Sequence, residues 1–181
     1  MNIYVFSGPC GCGKSTLTES YAEHLVKNDG KLQVYVIHGD DFHRGFKETE
    51  RRLGPDYPGF LYWADILRFN WDCMLTVAQK SLDRGLDVLI DYVVEDELPL
   101  LRTLAEKNGA KLYYIVLTAS DDELKRRLTE RGDPQLIERS LFLKEKLGQT
   151  GQEYLFDISG MTVEEEIAAL DIAAYEVPLY M

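Results

Sequence analysis

With 181 residues, 45% of them hydrophobic, the chain is long enough to bury one full core and too short for two ordinary domains. Its formal net charge of -11 argues against a nucleic-acid or anionic-membrane partner, because either would demand a broad basic face. No apolar stretch approaches the ~20 residues of a membrane span, and a strand begins at once without a basic leader, so a cytoplasmic protein is expected.

The apolar run Ile3-Tyr4-Val5-Phe6 predicts a first strand, and Gly8-Pro9-Cys10-Gly11-Cys12-Gly13-Lys14-Ser15 after it is a complete G-x-x-x-x-G-K-[ST] phosphate loop. Glycines let the backbone curl until successive N–H groups point into one concavity above the positive end of the next helix. Gly8, Cys10, Gly11, Cys12, Gly13, Lys14, Ser15 and Thr16 are therefore expected to hold a nucleotide. Lys14 would reach the β and γ phosphates of ATP, and the Ser15 hydroxyl would reach Mg²⁺. The chain has three cysteines, an odd number, and two lie in the loop. A disulfide would stiffen the backbone that must wrap phosphate, so Cys10 and Cys12 are read as reduced thiols filling small spaces.

Further along, Lys14 to Lys27 carries apolar residues at helical spacing, and Asn28-Asp29-Gly30 closes it. Leu32 to Ile37 reads as a second strand running into His38-Gly39-Asp40-Asp41-Phe42-His43. Residues 44–59 are broken by Gly and Pro. A long helix is predicted from Phe60 to Arg84, its core stripe set by Leu67, Trp71, Met74 or Leu75, Ala78 and Leu82. Asp87 to Val94 is a third strand with Asp91 near its end, and a helix from Glu95 to Asn108 stops at Gly109. Leu112 to Leu117 is a fourth strand, and Ser120 to Glu123 has the spacing of a capping box. Helical stretches follow to about Leu147, then a short fifth strand at Tyr154 to Asp157 and a helix capped at Thr162. Strands alternating with helices demand parallel pairing, hence a single α/β domain over residues 1–181 with a doubly wound sheet.

The chemistry should gather beyond the strand ends. A phosphotransferase needs a carboxylate there to accept the proton of an attacking hydroxyl and to help hold Mg²⁺. Asp40 is the first choice for that base, with Asp41 able to serve instead. Asp91, after four apolar residues, has the form of a Walker B aspartate that reaches Mg²⁺ through water or binds substrate. The next position is Tyr92, where many ATP-hydrolysing motors carry glutamate. Arg127 and Arg131 share a helix face, and a lid over about 127–147 would deliver such arginines to the charge that develops on transfer. Arg139 lies in the same region. His43, Arg44, Asp41, Asp91 and Arg139 are candidate acceptor contacts, and 44–84 is the candidate acceptor-binding region.

This pattern resembles small-molecule P-loop kinases of the nucleoside-monophosphate-kinase fold. Gly39-Asp40-Asp41-Phe42-His43 is similar to the Gly-Asp-x-Leu-His element of gluconate kinases, where the aspartate adjoins the transferred phosphate and the histidine lies on the acceptor side. Its Asp-Asp-Phe letters also resemble uridine and nicotinamide riboside kinases. Arg127 and Arg131 match the superfamily's lid arginines, and Val88-Leu89-Ile90-Asp91 is similar to zeta-toxin-like and antibiotic phosphotransferases. The His-Phe that follows the lid arginine in gluconate kinases is replaced by Gly132-Asp133-Pro134. The resemblance implies a three-layer P-loop sandwich with five parallel strands and helices on both faces. It also implies ATP and Mg²⁺ as cofactors and a small-molecule hydroxyl as acceptor, a sugar acid first, in a monomer or homodimer. A nucleoside or antibiotic acceptor, or a nucleotide-binding ATPase module without an acceptor, is the alternative. A GTP switch is disfavoured because no base-reading Asn-Lys-x-Asp occurs.

Overall fold

Five strands form one parallel sheet in the order β2-β3-β1-β4-β5: β1 (Asn2–Ser7), β2 (Val34–His38), β3 (Asp87–Asp91), β4 (Lys111–Thr118) and β5 (Leu155–Asp157). The computed structural model describes residues 1–28, 30, 33–46 and 61–179. Every residue of β3 is buried, as expected for a strand covered on both faces. Alternation along the strands sorts their side chains into two cores. Ile3, Val5, Val88 and Ile90 pack under α3 (Trp63–Leu82) and α4 (Leu98–Asn108), against Trp71, Met74 and Leu101. Tyr4, Phe6, Leu89 and Ile115 face the other way, against Leu17, Tyr21 and Leu25 of α1 (Lys14–Asn28). This is the expected three-layer α/β sandwich.

Several elements differ from the sequence-based reading for identifiable reasons. The residues after β2 do not form an open loop but a short helix, α2 (Gly39–Arg44), which starts against the aromatic ring of Tyr92. Only glycine fits at position 39, since a Cβ there would lie 2.3 Å from a Tyr92 ring carbon and 2.8 Å from the Met74 sulfur. Helix α4 begins at Leu98 rather than Glu95, with Pro99 in its first turn, where a missing N–H costs nothing. The Glu97 carboxylate instead accepts from the Glu95 and Asp96 N–H groups at 3.0 Å.

Helix α5 (Asp121–Arg131) shows half of its capping box: the Ser120 hydroxyl accepts from the Glu123 N–H, but the Glu123 side chain is engaged elsewhere. The next helical stretch is a 3-10 turn, Pro134–Leu136, followed by α6 (Ile137–Thr150). The final helix, α7 (Val163–Ala169), has a complete capping box between Thr162 and Glu165. Beyond it the chain returns to β4: Glu176 bridges Tyr113 in antiparallel fashion, and the Val177 N–H donates to the Leu112 carbonyl at 2.8 Å. β5 pairs only with Val116–Thr118, so this tail covers the part of β4 that β5 leaves open. The predicted loop at 44–59 and its Arg51 and Arg52 lie outside the described residues from position 47 onward.

Candidate active site

The order of strands decides what meets the phosphate loop. β3 lies between β1 and β2, so Asp91 at its end pairs in register with Phe6 on one side and His38 on the other. The loop between β1 and α1 opens directly beside Asp91. Gly8 takes φ +141, and a Cβ there would sit 2.5 Å from the Leu117 carbonyl oxygen, so the turn has no room for a side chain. The Lys14 ammonium donates to the Gly8 and Pro9 carbonyls at 3.0 Å each, held on its own loop within reach of the cavity. Cys12 is buried and Cys10 half-buried; both thiols are free, and burial pushes the Cys12 thiol above its ordinary value.

Two later helices hold the loop from outside. The Arg127 guanidinium donates to the Cys12 carbonyl at 3.1 Å while paired with Glu123, whose other oxygen accepts from the Gly160 N–H at 3.1 Å. Glu123 is thereby drawn from capping its own helix to positioning Arg127. On α6, the Ser140 hydroxyl donates to the Cys10 carbonyl at 2.7 Å. Arg131 is half-exposed and paired with Asp133 at 2.7 Å.

A cavity of about 510 Å³ runs along the C-terminal ends of the strands. Cys10, Gly11, Gly13, Lys14, Ser15 and Thr16 of the phosphate loop line it, together with Arg127 and Arg131. Asp40, Asp91 and Tyr92 line it too, as do Met161, Thr162, Val163 and Glu166. Asp40 and Asp91 thus meet the loop in one space. Asp41 does not line it; it pairs with Arg44 at 3.0 Å and is mostly exposed. Arg44 also approaches Asp40, at 4.0 Å. His43 lies against the edge of Trp63 and within 3.3 Å of the Asn70 amide, which also donates to the Tyr92 hydroxyl at 3.2 Å. Arg139 is outside the cavity: it pairs with Glu95 and lies over the Phe142 ring, tying α6 to the segment after β3, together with Lys146. The acidic run Glu95-Asp96 supplies the opposite charge that draws these bases away.

A further set of groups was not singled out from the sequence. The Asp91 side chain is 4% exposed; it lies 2.7 Å from His38 Nδ1, and His38 Nε2 lies 2.7 Å from Glu19. Burial pushes the Asp91 carboxyl above its ordinary range, and the Ser15 and His38 bonds offset part of that. For His38, burial favours the neutral ring, but the two carboxylates outweigh it and raise the pKa. An imidazolium ring can donate to a carboxylate at each nitrogen. Glu166, also at the cavity wall, is held above its ordinary value by burial, partly opposed by Arg127. Tyr92 carried a weak signal in its position after Asp91. His38, Asn70 and Glu166 carried none, since each acts through partners far away in sequence.

The oxygen donors suit Mg²⁺: a serine hydroxyl and a hydrogen-bonded carboxylate, with Asp40 nearby. Among the described residues no cluster of three or more His, Cys, Asp or Glu side chains forms a metal cage. Mg²⁺ needs none, because it takes most of its ligands from phosphate oxygens and water.

A strand order of 2-3-1-4-5 with the phosphate loop after its central strand defines a P-loop kinase fold of the nucleoside-monophosphate-kinase-like superfamily. The chain belongs to the AAA domain family, whose model matches residues 5–146. It is 29% identical over 153 residues to the guanylate kinase of Alkalilimnicola ehrlichii, an alignment spanning 77% of this chain and 70% of that one. In fold it is similar to a gluconokinase from Sinorhizobium meliloti 1021, with a TM-score of 0.58 at 19% identity over 96% of this chain and 91% of that one. It is also similar to the tunicamycin resistance protein of Deinococcus radiodurans, with a TM-score of 0.59 at 17% identity over 98% of both chains. No helix among the described residues is long and apolar enough to cross a membrane.

Proposed function

We propose that the protein transfers the γ-phosphate of ATP to a hydroxyl of a small molecule, with a sugar acid the first candidate. The observation that carries the reading is Asp40, a carboxylate lining the same cavity as the phosphate loop. A hydroxyl must lose a proton as it attacks, and a carboxylate within reach accepts it. A phosphate acceptor is already deprotonated near neutral pH and needs no base. That contrast favours an alcohol over the nucleotide acceptor that likeness to a guanylate kinase would suggest.

Each group then has a task. Lys14 exchanges its two loop carbonyls for phosphate oxygens, and Arg127 and Arg131 face the charge that grows on the transferred group. Ser15 and Asp91 would hold Mg²⁺, which when bound would neutralise charge on the phosphate oxygens. The acceptor proton passes to Asp40 as the new O–P bond forms and ADP leaves. Residues 127–147 act as a lid: Arg127 and Ser140 already touch the loop, and closure would bring Arg131 off Asp133 and exclude water. Asp41, His43 and Arg44 flank the base on the acceptor side.

The test is ADP release measured against sugar acids, nucleosides, nucleotide sugars, aminoglycosides and nucleoside monophosphates, with water alone as control. Stimulation by a hydroxyl acceptor supports the reading. Stimulation by a nucleoside monophosphate alone, or equal release in water, overturns it.

A further inference from the structure

Three side chains form a chain between three elements, from Asp91 through His38 to Glu19. Ser15 and Glu19 stand one helical turn apart on α1 and share a face. Ser15 lines the same cavity as Asp91 at the end of β3, His38 at the end of β2 lies 2.7 Å from Asp91, and the same imidazole lies 2.7 Å from Glu19. The pairing of β2 with β3 sets His38 directly opposite Asp91, so the contact is built into the sheet rather than reached by a flexible side chain.

Resting on the kinase reading above, we propose that His38 is a positioning residue for the metal-nucleotide site, braced by Glu19. Asp91 is a nearly buried carboxylate with freedom to rotate about its terminal bond. His38 Nδ1 meets one oxygen, Oδ2, and so holds the carboxylate plane. Glu19 takes the other ring nitrogen and fixes the ring itself. Outer partners of this kind orient the groups that hold a metal, and their loss weakens metal binding while leaving the ligands in place. His38 lies outside the cavity's lining, so it acts through Asp91 and not on the nucleotide.

The experiment is calorimetric binding of ATP to the full chain in EDTA and again in Mg²⁺, for wild type, His38→Ala, His38→Asn and Glu19→Gln. Wild type should bind ATP more tightly with Mg²⁺. His38→Ala should keep its affinity in EDTA within about twofold and lose about tenfold or more of the gain from Mg²⁺. His38→Asn, whose amide N–H can still reach Asp91, should recover most of it. Glu19 is largely exposed, so Glu19→Gln keeps the fold and should show a smaller loss of the same kind; this variant decides the matter if His38→Ala does not fold. A full Mg²⁺ gain in both His38→Ala and Glu19→Gln overturns the positioning role and leaves the kinase reading standing. Equal weakening with and without Mg²⁺ also overturns it, because that is a structural defect. Absence of ATP binding by wild type in Mg²⁺ overturns both readings together.

Discussion

The phosphate loop and the proposed acceptor region are built on opposite plans. The phosphate-loop end is made of backbone from one short segment, with Cys12 fully buried and the Cys10 and Cys12 carbonyls tied to Ser140 and Arg127. The proposed acceptor region is made of side chains from α2, α3 and the end of β3, and much of it is open to solvent: Asp40 is 58% exposed and Trp63 57%. A triphosphate presents the same oxygens to every member of such a fold, so its cradle can be rigid. An acceptor differs from protein to protein, and exposed side chains on a short helix are free to vary without disturbing the core.

The contrast is broken most severely at the rigid end. Gly8→Ala adds a Cβ within 2.5 Å of a carbonyl oxygen at a backbone angle that favours glycine. ATP binding by calorimetry should fall by on the order of 100-fold or more, with no measurable transfer and a lowered Tm. At the open end, Asp40→Asn should leave ATP affinity within about twofold and the Tm unchanged while kcat drops by roughly 10²- to 10⁴-fold. If kcat is unchanged, the base is not Asp40.

The remaining two changes are smaller. Glu166 is buried at the cavity wall with its pKa raised by desolvation, so the folded state holds its proton more tightly than the unfolded chain. Its burial therefore lowers stability as pH rises from the ordinary glutamate value, about 4.3, through the raised one. Glu166→Gln should raise the Tm near pH 7 by on the order of a few °C, and the gain should vanish toward pH 4 in thermal scans. Asp41→Asn, outside the cavity and mostly exposed, should change kcat and KM by less than about twofold. A large loss there would exchange the roles of the two aspartates.

The phosphate loop, the alternation of strands and helices, and the carboxylates after the second and third strands were legible in the linear chain, because each is a local pattern whose meaning depends on near neighbours. The Trp71 and Met74 stripe was legible for the same reason: a helix repeats its face every few residues, and both side chains are buried under the sheet. Arg139 shows the limit. It shares its sign and its neighbourhood with Arg131, but Glu95, 44 residues away, holds it outside the cavity. The choice between Asp40 and Asp41 was also closed to sequence, since one residue of rotation on α2 decides which carboxylate turns toward the loop.

What the chain determined by itself was a nucleotide cradle within a parallel α/β layout, since hydrophobic period and glycine placement act over a few bonds. Tertiary structure alone decided which distant groups meet. Insertion of β3 between β1 and β2 brought His38 to Asp91 across 53 positions, and the packing of α5 carried Arg127 to the Cys12 carbonyl across 115 positions. Electrostatic partnership depends on distances of a few ångströms through space, and only the folded sheet sets those.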